Sequence, residues 1–418
     1  MPADTPVKAL ILAFTDAPSL AAYVINRLQP ELLCFFVPES AKTLVEEAVQ
    51  PLVQQMPKRW DWVVTPDPAD VIACHQALSR SIHDLFRNWA VQVGEVVVDL
   101  TGATPAMAAA LATVSQPWTS RVISLVDAEG REEGEAIAIG GLAKYWLQGN
   151  PWDESAVVVR REASDAFNHG SFRAAATLFH TLEARVSGGQ KPLYRALGEL
   201  ALGYGWWEQF HYRQAWDKLK TSLKALDMAS LWGGPPGLKA LLPFIKANNG
   251  FLEKLVLDPA DVKEGVVLDL LAHAHRRAHV DHDYERAMVA LVRAMEACAQ
   301  RQLFKQYKIK TWDVQPEQLP DAMRDTCRTC YLDDVDGKYK LPLQSQFRVL
   351  AGLGDQMGQA FLRDWPKMKP LFDAANHAVL GHGFEAIKAE RVQQLSDVVM
   401  KLTGVSESSL PKFPNLNL

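Results

Sequence analysis

Residues Glu95–Met107 read EVVVDLTGATPAM, and this stretch decides the fold of the first third of the chain. Glu95–Val98 predicts a strand, with three consecutive valines as a buried parallel strand should have. Asp99–Pro105 is a loop, and Ala106–Thr113 is helical. Outward from it the alternation repeats. Val7–Phe14 (VKALILAF), Leu32–Val37 (LLCFFV), Trp60–Val64 (WDWVV) and Arg121–Val126 predict strands. Helical patterns over Leu20–Leu28, Ala41–Gln54 and about Ala69–Trp89 lie between them, and Glu135–Ile139 predicts an edge strand. Strands alternating with helices predict an α/β sheet, mostly parallel and Rossmann-like.

Gln148–Glu154 (QGNPWDE) predicts a linker, which divides the chain into residues 1–147, 148–154 and 155–418. Beyond it strands nearly vanish. Helical periodicity runs through 155–186, 191–226, 236–257, 260–278, 282–304, 342–366 and 368–402. Asp165–Ala176 and Glu208–Ala215 share a loose pattern: aromatic, two polar residues, aromatic, Arg, any residue, Ala. Two copies predict local helical hairpins, not a solenoid.

A chain of 418 residues, 48% hydrophobic and 22% charged, can bury sizeable cores without disulfides. Its net charge of -5 is unevenly spread, with -7 on residues 1–150 and +2 on the rest, which excludes a wholly basic nucleic-acid coat. The five cysteines do not suggest a secreted scaffold. Cys327 and Cys330 form one CxxC, half of a structural zinc site, so they read as ordinary thiols. His-rich Leu271–Asp283 reads as a surface helix and not a metal site. With no signal-peptide pattern and no apolar run near the ~20 residues of a membrane span, the expected location is cytoplasmic.

In an open α/β sheet ligands sit where strand order reverses. With order 3-2-1-4-5, that point lies between strands one and four. The loops following those strands hold Thr15, Asp16 and Ala17, and Asp99, Thr101, Gly102, Ala103, Thr104 and Met107. Gly102 permits close backbone approach, and each loop opens a helix whose N–H groups suit an anion. The plainer alternative is that Asp99 and the threonines only cap a helix. The GxGxxG and GxxxxGK[ST] fingerprints are absent.

DLTGATPAM resembles the D-x-T-G-G-T-K-x-M loop of CRISPR-associated Rossmann-fold (CARF) domains, with Ala103 at the second Gly and Pro105 at the Lys. The resemblance covers roughly residues 5–145. It implies that cyclic oligoadenylate, a tetra- or hexa-adenylate, binds these two loops on the two-fold axis of a homodimer.

The helical half carries two further stretches. Asp283–Glu296 (DYERAMVALVRAME) places Arg293 and Glu296 three apart on one helical face, which alone reads as an exposed ion pair. Leu371–Phe384 (LFDAANHAVLGHGF) pairs Asn376 with His382. Gly381 and Gly383 weaken helix around His382, which predicts a helix end or loop there. Together these resemble the HEPN ribonucleases attached to CARF domains in type III CRISPR systems. The family's R-N-x-x-x-x-A-H-G motif here reads Ala375-Asn376-His377-Ala378-Val379-Leu380-Gly381-His382-Gly383, with Ala375 at the arginine position.

The resemblance implies metal-independent cleavage of single-stranded RNA, without a cofactor. His382 would move a proton and Asn376 orient the backbone, with Arg293 and Glu296 as candidate support. A lost charge-stabilising donor costs about 10²–10³ in rate, so Ala375 predicts a poor nuclease. The motif keeps its Asn, His and final Gly, which fits an introduced Arg→Ala substitution. A catalytically dead sensor that binds RNA or a protein partner is the principal alternative. A CARF-type transcriptional regulator lacks the basic recognition helix it would need, and an unrelated nucleotide enzyme lacks the phosphate-loop fingerprints.

Overall fold

Strand β1 (Ala9–Ala13) is buried at every position, and its side chains alternate between two cores. Leu10 and Leu12 pack with Leu33, Phe35 and the first helix α1 (Pro18–Leu28). Ala9, Ile11 and Ala13 pack on the other face with Cys34, Phe36 and two later helices, α2 (Val71–Asn88) and α3 (Pro105–Ser115). Burial on both faces explains the unbroken apolar runs, since no position faces water. A computed structural model of the chain describes residues 7–92, 94–128, 135–150, 156–186, 188–231, 234–235, 237–260 and 263–418. It separates into two units, Met1–Val157 and Val158–Leu418.

The first unit is a seven-stranded sheet in the order β3-β2-β1-β4-β5-β7-β6. Strands β2 (Leu32–Pro38), β3 (Arg59–Thr65), β4 (Val96–Asp99) and β5 (Thr119–Asp127) join β1 in parallel. The predicted order 3-2-1-4-5 is the one observed. Strand β6 (Glu135–Ile139) takes the predicted edge, while β7 (Leu142–Gly149), which the sequence reading missed, pairs antiparallel with both β5 and β6. Only Trp146 of β7 is buried, so its apolar pattern is weak. Its readable signal was the pair Gly140-Gly141, both at positive φ, turning the hairpin. Gln148 and Gly149, read as linker, complete β7, and residues 151–154 of that linker lie outside the described residues.

The helix predicted over Ala41–Gln54 is a run of short irregular helical turns ending at Leu52, with Pro51 in the last. Proline lacks the N–H a continuing helix needs.

The second unit is helical: α4 (Val157–Asn168), α5 (Phe172–Arg185), α6 (Lys191–Glu208), α7 (Tyr212–Leu231), α8 (Gly237–Leu257), α9 (Glu264–His279), α10 (Tyr284–Tyr307), α11 (Asp321–Cys330), α12 (Leu343–Gly352), α13 (Gln356–His377) and α14 (Ala389–Thr403). The two repeated patterns fall on the α4–α5 and α6–α7 turns, as local hairpins should. The pattern read as 342–366 breaks because Gly354 takes φ 79° and the Asp355 carboxylate accepts from Met357 N, capping α13. Helices α9 to α14 share one core, with Phe347 stacked on Phe361 at 3.9 Å. Among the described residues no helix is long and apolar enough to cross a membrane.

Candidate functional site

At the switch point between β1 and β4 the two predicted loops meet. The Thr15 hydroxyl donates to the Gly102 carbonyl at 3.0 Å and to Asp16 Oδ1 at 3.2 Å. A Cβ on Gly102 would lie 2.7 Å from Ala13 O and 3.2 Å from Phe14 Cα. Only glycine lets the loops close to this distance.

The other side chains build the loop from beneath. Asp99 is fully buried, and its Oδ1 accepts from both the amide and the hydroxyl of Thr101. Thr101 Oγ1 accepts in turn from Leu125 N at 3.0 Å, tying the loop to β5. Asp99 Oδ2 is buried without a hydrogen-bond partner. Burial pushes this carboxyl up to about 6, against the lowering effect of the Thr101 bonds. Thr104 donates to Pro68 O and accepts from Met107 N, so it caps α3, while the Met107 side chain lies wholly in the core. Asp99, Thr101, Thr104 and Met107 therefore shape the loop, as the capping alternative held for the threonine at 104. Ala103 is half-buried, and its amide bonds Leu100 O. Exposed Asp16 and the first turn of α1 remain, where Ala17 is the N-cap and no side chain caps the helix. Its first-turn N–H groups suit an anion.

In the helical unit, α13 ends at His377 and the predicted motif folds into a tight turn beyond it. His382 N donates to Asn376 O at 2.8 Å, and Glu385 N to His377 O at 2.9 Å. A Cβ at Gly381 would stand 2.2 Å from Ala375 O, and one at Gly383 2.2 Å from His377 O. The glycines thus let the loop fold back on the helix end. Asn376, His377 and His382 are exposed, and Ala375 is half-buried. The structure brings Ala375, Asn376 and His382 together, with His382 outside the helix as its glycine neighbours predicted.

Arg293 and Glu296 serve another surface. Arg293 bonds Glu296 at 3.2 Å and Gln300 at 3.0 Å, and Glu296 accepts from Gln346 at 3.4 Å. The residue of α10 that meets the motif loop is Glu285. Its carboxylate accepts from Ile387 N at 3.0 Å and from Leu380 N at 3.4 Å. Glu285 lies in the quoted Asp283–Glu296 stretch, where an acid in the first turn of a helix marks only the helix start.

Among the described residues no group of three or more His, Cys, Asp or Glu is arranged to hold a metal ion. His275 instead faces Glu407 at 3.6 Å and its ring lies 4.3 Å from that of His279. All five cysteines are free thiols. Glu208, nearly buried, binds His273, Arg276 and Arg277 at 2.9–3.0 Å.

A Rossmann-like, mostly parallel sheet followed by a helical unit with this motif loop defines a CARF–HEPN protein. Residues 156–252 match the family model of the Csm6 6H domain, and residues 261–406 that of the Csm6 HEPN domain. Together they span more than half of the chain, which belongs to the Csm6-type CARF–HEPN family. The structure of Enterococcus italicus Csm6 bound to cyclic hexa-2'-fluoro-hexa-dAMP is similar over 96% of this chain and 96% of that one, with a TM-score of 0.56 at 12% identity. The structure of Can2 from Sulfobacillus thermosulfidooxidans in complex with cyclic tetra-adenylate matches over 73% of this chain and 71% of that one, at 11% identity and a TM-score of 0.25. No curated protein matches.

Proposed function

We propose that this chain is a cyclic-oligoadenylate sensor joined to a metal-independent, single-stranded RNA endoribonuclease centre of type III CRISPR antiviral defence, and that Ala375 has disabled that centre. Residues 1–147 sense the ligand, 148–154 link, and 155–418 form the helical nuclease half. The observation that carries the reading is the motif loop: Asn376 and His382 are held at one exposed turn by a backbone bond of 2.8 Å, and the side chain at the arginine position ends at a methyl group.

The chemistry follows from the residues present. His382 moves the proton of the attacking 2′-hydroxyl or of the leaving oxygen. Asn376 can hydrogen-bond the RNA backbone. An arginine at 375 would bind the phosphate and stabilise the charge that develops on it. Alanine supplies no such donor, so cleavage falls by about 10²–10³.

The sensor half works as a cytoplasmic homodimer, with one cyclic tetra- or hexa-adenylate across both copies of the Thr15–Ala17 and Asp99–Met107 loops. The ligand activates only by binding the active arrangement more tightly. Val379, Leu380 and Phe384, exposed by 60%, 54% and 97% around the motif loop, fit a partner copy at the nuclease end. Ala375 also favours a second reading, in which the chain senses the ligand and binds RNA or a protein without cutting.

Restoring arginine (Ala375→Arg) and assaying single-stranded RNA cleavage in EDTA, with cyclic tetra- and hexa-adenylate in separate arms, tests the proposal. A ligand-dependent gain of about 10²–10³ is expected. No gain removes the nuclease assignment. No calorimetric binding of either ring removes the sensor.

A further inference from the structure

An open groove of about 750 Å³ in the helical unit is lined by the α6–α7 turn, the end of α8 and the middle of α10. Arg213, Lys263 and Arg293 line it together with Phe210 and Trp312, and no carboxylate is among its described lining residues. Phe210 and Trp312 are 39% and 36% exposed. Cations beside exposed rings are the combination that holds single-stranded nucleic acid, phosphates on one and base faces on the other.

The backbone at Phe210 sharpens this. Hairpins α4–α5 and α6–α7 turn alike. In the first, Gly170 N donates to Phe167 O at 2.9 Å and Ser171 N to Ala166 O at 2.8 Å. In the second, Phe210 N donates to Trp207 O at 2.8 Å and His211 N to Trp206 O at 3.0 Å. Gly170 has φ 74°, and Phe210 occupies the equivalent left-handed position at φ 62°. Glycine meets that conformation without steric cost, whereas a phenylalanine is strained there. The turn therefore does not ask for the phenyl ring, which rests against His273 at 4.9 Å with one side on the groove.

The arginines are available to phosphates. Arg213 faces Asp217 at 3.7 Å, and Arg293 faces Glu296 at 3.2 Å, with the arginine side chains 65% and 45% exposed. Such exposed pairs hold weakly in water and exchange readily for a phosphate. Arg293 stands eight residues beyond Glu285, about 12 Å along α10, and Glu285 anchors the motif loop. A strand leaving His382 spans that distance in a few nucleotides.

We propose that this groove is a second contact for single-stranded RNA, separate from the motif loop, in which Arg213 and Arg293 hold phosphates and Phe210 and Trp312 stack on bases. It rests on the reading that the chain binds RNA, and it makes affinity depend on strand length beyond the cleavage point.

The test is fluorescence anisotropy of the full chain with a labelled single-stranded RNA of about 16 nucleotides, the upper end of a single-strand site, titrated over a range of salt. Phe210→Gly suits the φ 62° backbone, so its melting temperature should hold or rise while affinity falls about tenfold. Trp312→Ala should act alike. Arg213→Gln with Arg293→Gln should flatten the slope of log affinity against log salt by about 1.4, two contacts at 0.7 each. The corresponding Arg→Lys pair should restore the slope. Unchanged affinity and slope in all variants would overturn the groove and leave RNA binding elsewhere intact. Duplex RNA bound as tightly as the single strand would also overturn it. Failure of every form, the unmodified chain included, to bind RNA would remove both this proposal and the reading beneath it.

Discussion

Glu285→Ala separates a rigid motif loop from a merely present one. The Glu285 carboxylate, half-buried at the start of α10, ties down both Leu380 and Ile387, one on each side of His382. A hydrogen bond to a charged group contributes about 1.5–3 kcal/mol. The 3.4 Å bond to Leu380 lies beyond ordinary length and adds little. The pair together is then worth about 2 kcal/mol. At 1.4 kcal/mol per factor of ten, losing it raises the open population of the loop about thirtyfold.

Hydrogen exchange reads this directly. The Ile387 amide should exchange about thirtyfold faster in Glu285→Ala, while the buried Ala294 and Met295 amides of α10 keep their protection. Glu285→Gln should fall between, because a neutral amide oxygen still accepts. With Ala375→Arg in the same chain, the variant should lower kcat more than it raises KM. Ile387 protection unchanged in Glu285→Ala would refute the reasoning, since the loop would then be held by its glycine packing alone.

Three further outcomes are expected. Gly102→Ala places a Cβ 2.7 Å from Ala13 O, a backbone atom that cannot yield, so calorimetric binding of cyclic hexa-adenylate should be lost while the helical unit melts as before. Asp99→Asn removes a buried carboxyl held at about 6, so the folded chain binds that proton more tightly than the unfolded one. Its favourable contribution is present below pH 4 and lost as pH rises through 6; above that the buried charge costs on the order of 3 kcal/mol. The variant should therefore melt higher than the parent at pH 8 and alike at pH 4. Glu208 has the opposite sign: burial pushes it up, but His273 and the charges of Arg276 and Arg277 outweigh this and hold it down to about 2. That stabilisation is present above about pH 4.5 and lost as pH falls toward 2, so Glu208→Gln should cost about 3–5 kcal/mol at neutral pH, with the gap in melting closing in acid.

Legibility in the sequence tracked burial. Strands β1, β2 and β4 are covered on both faces, so every residue but Asp99 at the end of β4 is apolar and the run announces itself. Strand β7 has one buried residue and left only its Gly140-Gly141 turn as a sign. Helix α11 likewise buries Cys327 alone, and its pattern was not seen. Among site residues, Gly102 and His382 were readable because glycine in a loop carries steric meaning by itself. Glu285 was not, because its partners lie 95 and 102 residues away.

The sequence by itself determined the alternation of strands and helices, the helical second half, the two loops at the switch point, and the alanine where the motif wants arginine. These rest on local properties: apolar period, turn residues, and the identity of a side chain. Only the tertiary structure decided what each side chain is used for. Met107 and Thr104 were expected to face a ligand, and the fold turns one into core and the other into a cap. Arg293 was expected beside His382, and the packing of α10 gives that place to Glu285 and points Arg293 into the groove with Phe210. The reason is physical: burial and hydrogen-bond partnership depend on residues distant in the chain, and no spacing within one segment encodes them.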